Sequence, residues 1–303
     1  MTLTGINSAA LDNPKAFCVQ CNADYAAQLD RAASFINESR LRKIILLAGP
    51  SSAGKTTTAS LLARRIKESG NMAYIVSLDN FYHGVKEAYP LNENGKPDFE
   101  CLEALDLECM HDCFETLIKE GSCELPVFDF KTASRSEEKQ KIFLNENDVV
   151  IVEGIHALNP AVARHLPPEN LVKLYVSVSS RVYGEEGNVI LAKRELRFIR
   201  RMVRDFHHRA SSVDKTFELW FDVLKGEDKY IFPFKEFADI KLNSFYACEP
   251  CVLAGEALRL LATVDENSQY KKLCGELAAK LEKFVKLDYS MLTPDSLLWE
   301  FVG

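Results

Sequence analysis

Dense apolar runs of five to eight residues alternate along the chain with longer stretches whose apolar positions recur at helical spacing. Residues 16–40 carry apolar positions at roughly helical period without a glycine and predict a helix leading into the first strand. The β-branched and Leu-rich run 42–48, closed by Gly49-Pro50, predicts that strand, and 55–67 predicts a helix ended by Gly70. Residues 72–78 predict a second strand beside the first, with Asp79 its last residue or the first beyond it. Strand, helix, strand in this order requires a parallel pair. Residues 82–100, rich in Pro, Gly and Asn, read as loop, and 102–120 as a helix ended by Gly121. The continuous apolar run 148–153 reads as a buried parallel strand; 171–178 is another, 190–208 a strongly basic helix and 238–242 a short last strand. No internal repeat or low-complexity linker is present. The pattern predicts an α/β fold: a parallel sheet flanked by helices over 41–260, a helical lid at about 181–236, and helical extensions at 1–40 and 261–303.

Composition narrows the function. The formal charge of −7 argues against a fold that holds a nucleic-acid polymer as a whole, and the longest apolar runs, 44–48 and 149–152, are too short to span a bilayer. Residues 1–15 lack a basic segment followed by an apolar one, so a cytoplasmic location is expected. Nine cysteines, an odd number in an acidic chain, point to free thiols. Two pairs have C-x-x-C spacing, Cys18/Cys21 and Cys248/Cys251, and they would share a metal only if the two ends of the domain met. Without Gly-rich knuckles, thiols are the expected reading.

Gly49-Pro50-Ser51-Ser52-Ala53-Gly54-Lys55-Thr56 matches G-x-x-x-x-G-K-[ST] between a buried strand and a helix, the context in which that motif is specific. Backbone N–H groups and the helix N-terminus face the phosphates, Lys55 reaches the β- and γ-phosphates, and Thr56 ligates magnesium. The expected nucleotide-binding residues are Gly49, Ser51, Ser52, Ala53, Gly54, Lys55, Thr56 and Thr57. Glu153 ends a strand where an acid holds magnesium, and Asp79 ends another where a carboxylate accepts the proton of an attacking hydroxyl. Lys193, Arg194, Arg197, Arg200, Arg201, Arg204 and Arg209 stand against only Glu195 and Asp205. On a helix Arg197, Arg201 and Arg204 share one face, and converging guanidiniums need an anion, here the transferred phosphate. The six histidines show no metal-ligand spacing, and Trp220, Phe221, Tyr230, Phe232 and Phe234 read as packing under the lid.

Together these residues resemble the uridine kinase and phosphoribulokinase family of P-loop kinases, with an NMP-kinase-like fold. The resemblance runs from about residue 42 to 253 and rests on G-P-S-S-A-G-K-T-T (49–57), S-L-D-N-F-Y (77–82), P-V-F-D-F-K-T-A-S-R (126–135), V-V-I-V-E-G-I-H-A-L (149–158) and R-R-M-V-R-D (200–205). G-E-D-K-Y-I-F-P-F (226–234) and S-L-L-W-E-F-V-G (296–303) resemble a bacterial subgroup in which this domain follows a small TGS domain; with about 40 residues before the first strand, no such domain is expected here. The resemblance implies phosphorylation of a nucleoside 5′-hydroxyl by ATP or GTP with Mg2+. It makes Asp79 the general base, Glu153 a magnesium-site acid, and Arg201, Arg204 and Arg209 phosphate-clamping residues. Tyr82, Phe128, Phe130, Lys131 and Arg135 fall at the acceptor, and Glu100 after Phe99, or Asp98, takes the place of the ribose-holding acid.

Members that use pyrimidine nucleosides read Y-D-F-x-x-H-S-R after the proline, with the Tyr and His on the base edge. Here Phe128 and Ala133 stand there, and neither hydrogen-bonds through its side chain. Ser211 replaces a common lid arginine, and Lys131 is either solvent-facing or suited to an anionic or polyol acceptor. Three functions follow: a uridine/cytidine kinase-like nucleoside kinase, a kinase of another acceptor such as a sugar phosphate or inositol, and a nucleotide-dependent switch without acceptor. The expected partner is a small-molecule acceptor, a nucleoside first; no nucleic acid or membrane is expected, and self-association stays open.

Overall fold

The computed structural model of the chain describes residues 1–83, 89–91, 95, 98, 100–130 and 132–303. Lys131, placed at the acceptor above, and Phe99, which precedes Glu100, lie outside the described residues. The core is a parallel sheet of β1 (Ile44–Ala48), β2 (Ala73–Ser77), β3 (Val149–Glu153), β4 (Leu171–Ser177) and β5 (Ile240–Asn243), in the order β5-β4-β1-β3-β2. β2 therefore does not lie beside β1, as the order of the strands in sequence suggested. β3 separates them, pairing Leu47 with Glu153 on one side and Glu153 with Ser77 on the other. Burial explains the exchange. Val149, Val150, Ile151 and Val152 are all buried and need neighbours on both sides, whereas β2, half-exposed along most of its length, tolerates an edge.

Within the 1–40 extension, helix α1 (Leu3–Asp12) lies ahead of the helix read at 16–40 and precedes α2 (Pro14–Asn37), which Asn13 caps through its side chain and Pro14 opens. α2 lies on α3 (Lys55–Glu68), where the Tyr25 hydroxyl donates to Thr58 Oγ1 at 2.6 Å and Thr58 in turn donates to the Gly54 carbonyl at 2.5 Å. Tyr25→Phe is expected to cost about 1 kcal/mol, the net worth of one buried hydrogen bond, read as a lower urea midpoint. An unchanged midpoint would show that packing alone docks α2 on the helix behind the phosphate loop.

The segment after β2 turns into a short 3-10 helix, Leu78–Phe81, so Asp79 sits two residues beyond the strand, inside that turn, and not at the strand's last or next position as expected. After it, α4 (Leu107–Glu120) is capped by the Asp106 carboxylate and closed by Gly121 in a left-handed turn. Two short antiparallel ladders, Ser122–Leu125 with Gln140–Phe143 and Phe128–Asp129 with Ser134–Arg135, carry the aromatic segment to the carboxyl edge of the sheet. Beyond β4, α5 (Lys193–Arg209) and α6 (Val213–Tyr230) follow, with α7 (Glu249–Leu261), α8 (Lys271–Leu281) and α9 (Trp299–Val302) completing the chain. Leu196, Phe198, Ile199, Met202 and Val203 bury one side of α5 in the main core, against α7 and α9. The basic helix thus forms a fixed wall of the cleft.

The two ends of the chain do meet. Cys18 and Cys21 on α2 face Cys248 at the start of α7, and Cys251 is buried close by. All nine cysteines are free thiols, and among the described residues no group of three or more His, Cys, Asp or Glu side chains is arranged to hold a metal ion. No helix among them is long and apolar enough to cross a membrane.

Candidate active site

The phosphate loop is shaped by close contacts at its base and by arginines above it. A Cβ on Gly49 would stand 2.2 Å from the Val176 carbonyl oxygen, so only glycine passes β4 there. Gly54 has φ +86°, and a Cβ on it would meet Leu297 at 2.7 Å. Ser52 is also left-handed, at φ 57°, which bends the crest of the loop. Arg197 donates to the Ser51 carbonyl at 3.0 Å, Arg200 to the Ser52 carbonyl at 3.4 Å, and Arg201 to Ser51 Oγ at 2.9 Å. The helix that the sequence marked as an anion site therefore also holds the loop's carbonyls outward. Two loop amides are engaged within the protein, Ser51 N–H by Glu227 at 2.9 Å and Ala53 N–H by the Pro50 carbonyl at 3.2 Å. The Ser52 hydroxyl is buried with no hydrogen-bond partner among the described residues, and Ser52 lines the cavity, where a phosphate oxygen would suit it.

A cavity of about 250 Å³ opens over this loop. It is lined by Ser51, Ser52, Gly54, Lys55 and Thr56 together with Asp79, Glu153, Arg201, Arg204 and Arg209. The expected base, magnesium acid and phosphate-clamping arginines thus come to one place. Lys55 folds back over the loop, donating to the Gly49 and Pro50 carbonyls at 2.9 and 3.3 Å. Burial lifts the Asp79 carboxyl above its ordinary range, against the opposing pull of Lys55 and a hydrogen bond from the Tyr82 hydroxyl. Burial also raises Glu153, helped by the negative charges of Asp79 and Glu300. Asp205, itself buried, gathers the three arginines, with ion pairs of 3.2 Å to Arg201, 2.9 Å to Arg204 and 3.5 Å to Arg209.

Arg197 departs from the expectation. It shares a face with Arg201 and Arg204, but its guanidinium is closed in a bidentate pair with Glu227, at 2.5 and 2.7 Å, with both side chains almost fully buried. An arginine neutralised in this way positions the loop and does not receive phosphate. Arg200 is likewise sealed against Glu249 at 2.5 Å. Sequence reasoning assigned no role to Glu227, Glu249 or Glu300; Glu227 and Glu300 lie in two quoted motifs, 226–234 and 296–303, and that was the available signal.

The acceptor side adjoins the phosphate cavity. Tyr82 packs edge-on against Phe128, with ring centres 5.4 Å apart, and Phe130 extends beyond them, 65% exposed. Asn80 accepts the Phe128 amide at 3.2 Å, which ties this aromatic wall to the turn that carries Asp79. Glu100 lines a smaller recess with Ser51, Lys55 and Arg201; enclosure by protein atoms and the charge of Asp79 raise its carboxyl. Asp98 shapes the turn, accepting the Glu100 amide at 2.9 Å, and of the two acids it is Glu100 that lines the recess. Arg135 donates to the Tyr82 carbonyl at 3.1 Å and to Asp106 at 2.9 Å, and so braces the wall from behind. Ala133 has φ 51°, a left-handed position at the turn between Phe128–Asp129 and Ser134–Arg135.

Thr56 and Glu153 supply hard oxygen donors beside the loop, and two protein groups suit Mg2+, which takes most of its ligands from phosphates and water. Beside Pro50 on the other side of Arg197 lies a cleft of about 490 Å³, lined by Tyr175, Phe232, Arg181, Lys193, Lys235 and Lys241 among others.

The chain matches the phosphoribulokinase / uridine kinase family over residues 44–248. The uridine kinase of Bacillus pumilus (strain SAFR-032) is 31% identical over 205 residues, covering 65% of this chain and 84% of that one. That of Lactobacillus helveticus (strain DPC 4571) is 30% identical over 198 residues, with the same shares of 65% and 84%. Among solved structures, D-glycerate 3-kinase from Cryptococcus neoformans var. grubii shares the fold, with a TM-score of 0.50 and 15% identity over 69% of this chain and 90% of that one. The chain belongs to the phosphoribulokinase and uridine kinase family of kinases.

Proposed function

We propose that this kinase transfers the γ-phosphoryl group of ATP to the 5′-hydroxyl of a nucleoside. The observation that carries the reading is the single cavity holding Asp79, Lys55, Thr56, Glu153 and three arginines, with the Tyr82–Phe128 wall opening beside it. Asp79 takes the proton of the acceptor hydroxyl as that oxygen bonds to the γ-phosphorus and the bond to the β-bridging oxygen breaks, releasing ADP. Lys55, Arg201, Arg204 and Arg209 meet the charge on the transferred group, and Arg197 and Arg200 keep the loop shaped for it. Thr56 and Glu153 hold Mg2+, which when bound offsets phosphate charge. Glu100 holds the ribose hydroxyls, and the cleft beside Pro50 takes the donor's base.

A second acceptor class is favoured by one observation: Phe128 and Ala133 offer no side-chain hydrogen bond to a base edge. Apolar walls discriminate weakly, whereas hydrogen-bonding pockets reject wrong substrates by orders of magnitude. The test is kcat/KM for uridine, cytidine, adenosine, a sugar phosphate and myo-inositol, with products identified by mass. The nucleoside reading expects uridine or cytidine to be phosphorylated with shallow selectivity. In that case Phe128→Tyr with Ala133→His should raise pyrimidine efficiency about tenfold, the worth of a hydrogen bond or two. The left-handed backbone at residue 133 accepts histidine more readily than a β-branched residue. Turnover of the polyol or sugar phosphate without nucleoside turnover would transfer the assignment to the second class.

A further inference from the structure

The C-terminal segment enters the phosphate site. The Thr57 hydroxyl, on the first turn of α3, donates to the Glu300 carboxylate at 2.5 Å, and Glu300 lines the same cavity as Lys55, Thr56, Asp79 and Glu153. This carboxylate is built in. Leu297, Leu298 and Phe301 are fully buried around it, Leu297 packs on Gly54, and the Arg200 guanidinium lies over the Phe301 ring at 4.9 Å. Withdrawing Glu300 would expose that apolar anchor and uncover the back of the loop.

The charges of the cavity show what the carboxylate does. Among the described residues four cations line it, Lys55, Arg201, Arg204 and Arg209, and they are matched by Asp79, Glu153 and Glu300 in the lining and by Asp205 behind the arginines. A phosphate-binding loop is ordinarily electropositive, but this one is neutral in sum, and Thr57 has its proton committed to a carboxylate. Resting on the kinase reading above, we propose that Glu300 is a nucleotide-site residue that makes phosphate binding conditional on a divalent cation: its fixed negative charge repels bare polyphosphate and admits the cation-bound form.

The test is ADP affinity of the full chain by calorimetry, with Mg2+ and with EDTA, in wild type, Glu300→Gln and Glu300→Asp. Glutamine keeps an acceptor for the Thr57 hydroxyl and removes the charge. Glu300→Gln is expected to tighten Mg2+-free ADP by about tenfold or more, as for one unit charge removed a few ångströms from the phosphates, with little gain in the Mg2+-bound form. Glu300→Asp, which keeps the charge, should retain the wild-type gap between the two conditions. An unchanged gap in Glu300→Gln, or equal shifts under both conditions, would make Glu300 a structural prop and overturn the proposal. Failure of wild type to bind ADP under either condition would overturn the kinase reading itself, a result separable from the first.

Discussion

Lys55→Ala is expected to lower turnover by roughly 10² to 10³, the cost of removing one preorganised charge from the transition state of phosphoryl transfer. The lysine is already at the loop, its ammonium on the Gly49 and Pro50 carbonyls, and on the proposed reading it would give up those contacts for phosphate oxygens. Among the described residues it is also the one cation lining the cavity that is not tied to Asp205, so none of the arginines there is as free to replace it. Acceptor-dependent ADP release, measured beside the melting temperature, separates this effect from unfolding. Retention of more than about a tenth of wild-type turnover would contradict the electrostatic role.

Much of this site was legible in the sequence because its key elements are local. The phosphate loop is eight consecutive residues between a strand and a helix, and Asp79 and Glu153 each stand at the carboxyl end of an apolar run that parallel pairing brings to the same edge. What was not legible depends on contacts between distant segments. Glu227 meets Ser51 across 176 positions and Glu300 meets Thr57 across 243, and no spacing rule links such pairs. The same distance hid the fate of Arg197: helical periodicity set it on a face with Arg201 and Arg204, but a buried acid on α6 takes it out of phosphate binding. Strand order failed for a related reason, since sequence order alone placed β2 next to β1, while the demand of β3 for burial on both sides put it between them. The two C-x-x-C pairs are the reverse case, where spacing was visible and only the fold could bring Cys18 and Cys21 to Cys248.

Asp79→Asn is expected to reduce turnover by roughly 10² to 10⁴, the range for a positioned general base, while leaving ATP affinity nearly unchanged. Asparagine occupies the same place beside Tyr82 and still accepts the Tyr82 hydrogen bond, so the pocket is kept and the basic oxygen is lost. The pH profile adds an independent mark. A base works deprotonated, and burial holds the Asp79 carboxyl above the ordinary aspartate range, so the wild-type rate should begin to fall, as pH is lowered, at a higher pH than a solvent-exposed aspartate would produce. In Asp79→Asn the residual rate should lose that acid limb. Glu153 and Glu100 are raised as well, so a limb that persists unchanged in the variant would assign the titration to one of them. A parallel fall in ATP affinity and turnover would instead make Asp79 a ligand of the magnesium site and leave the acceptor proton to another group.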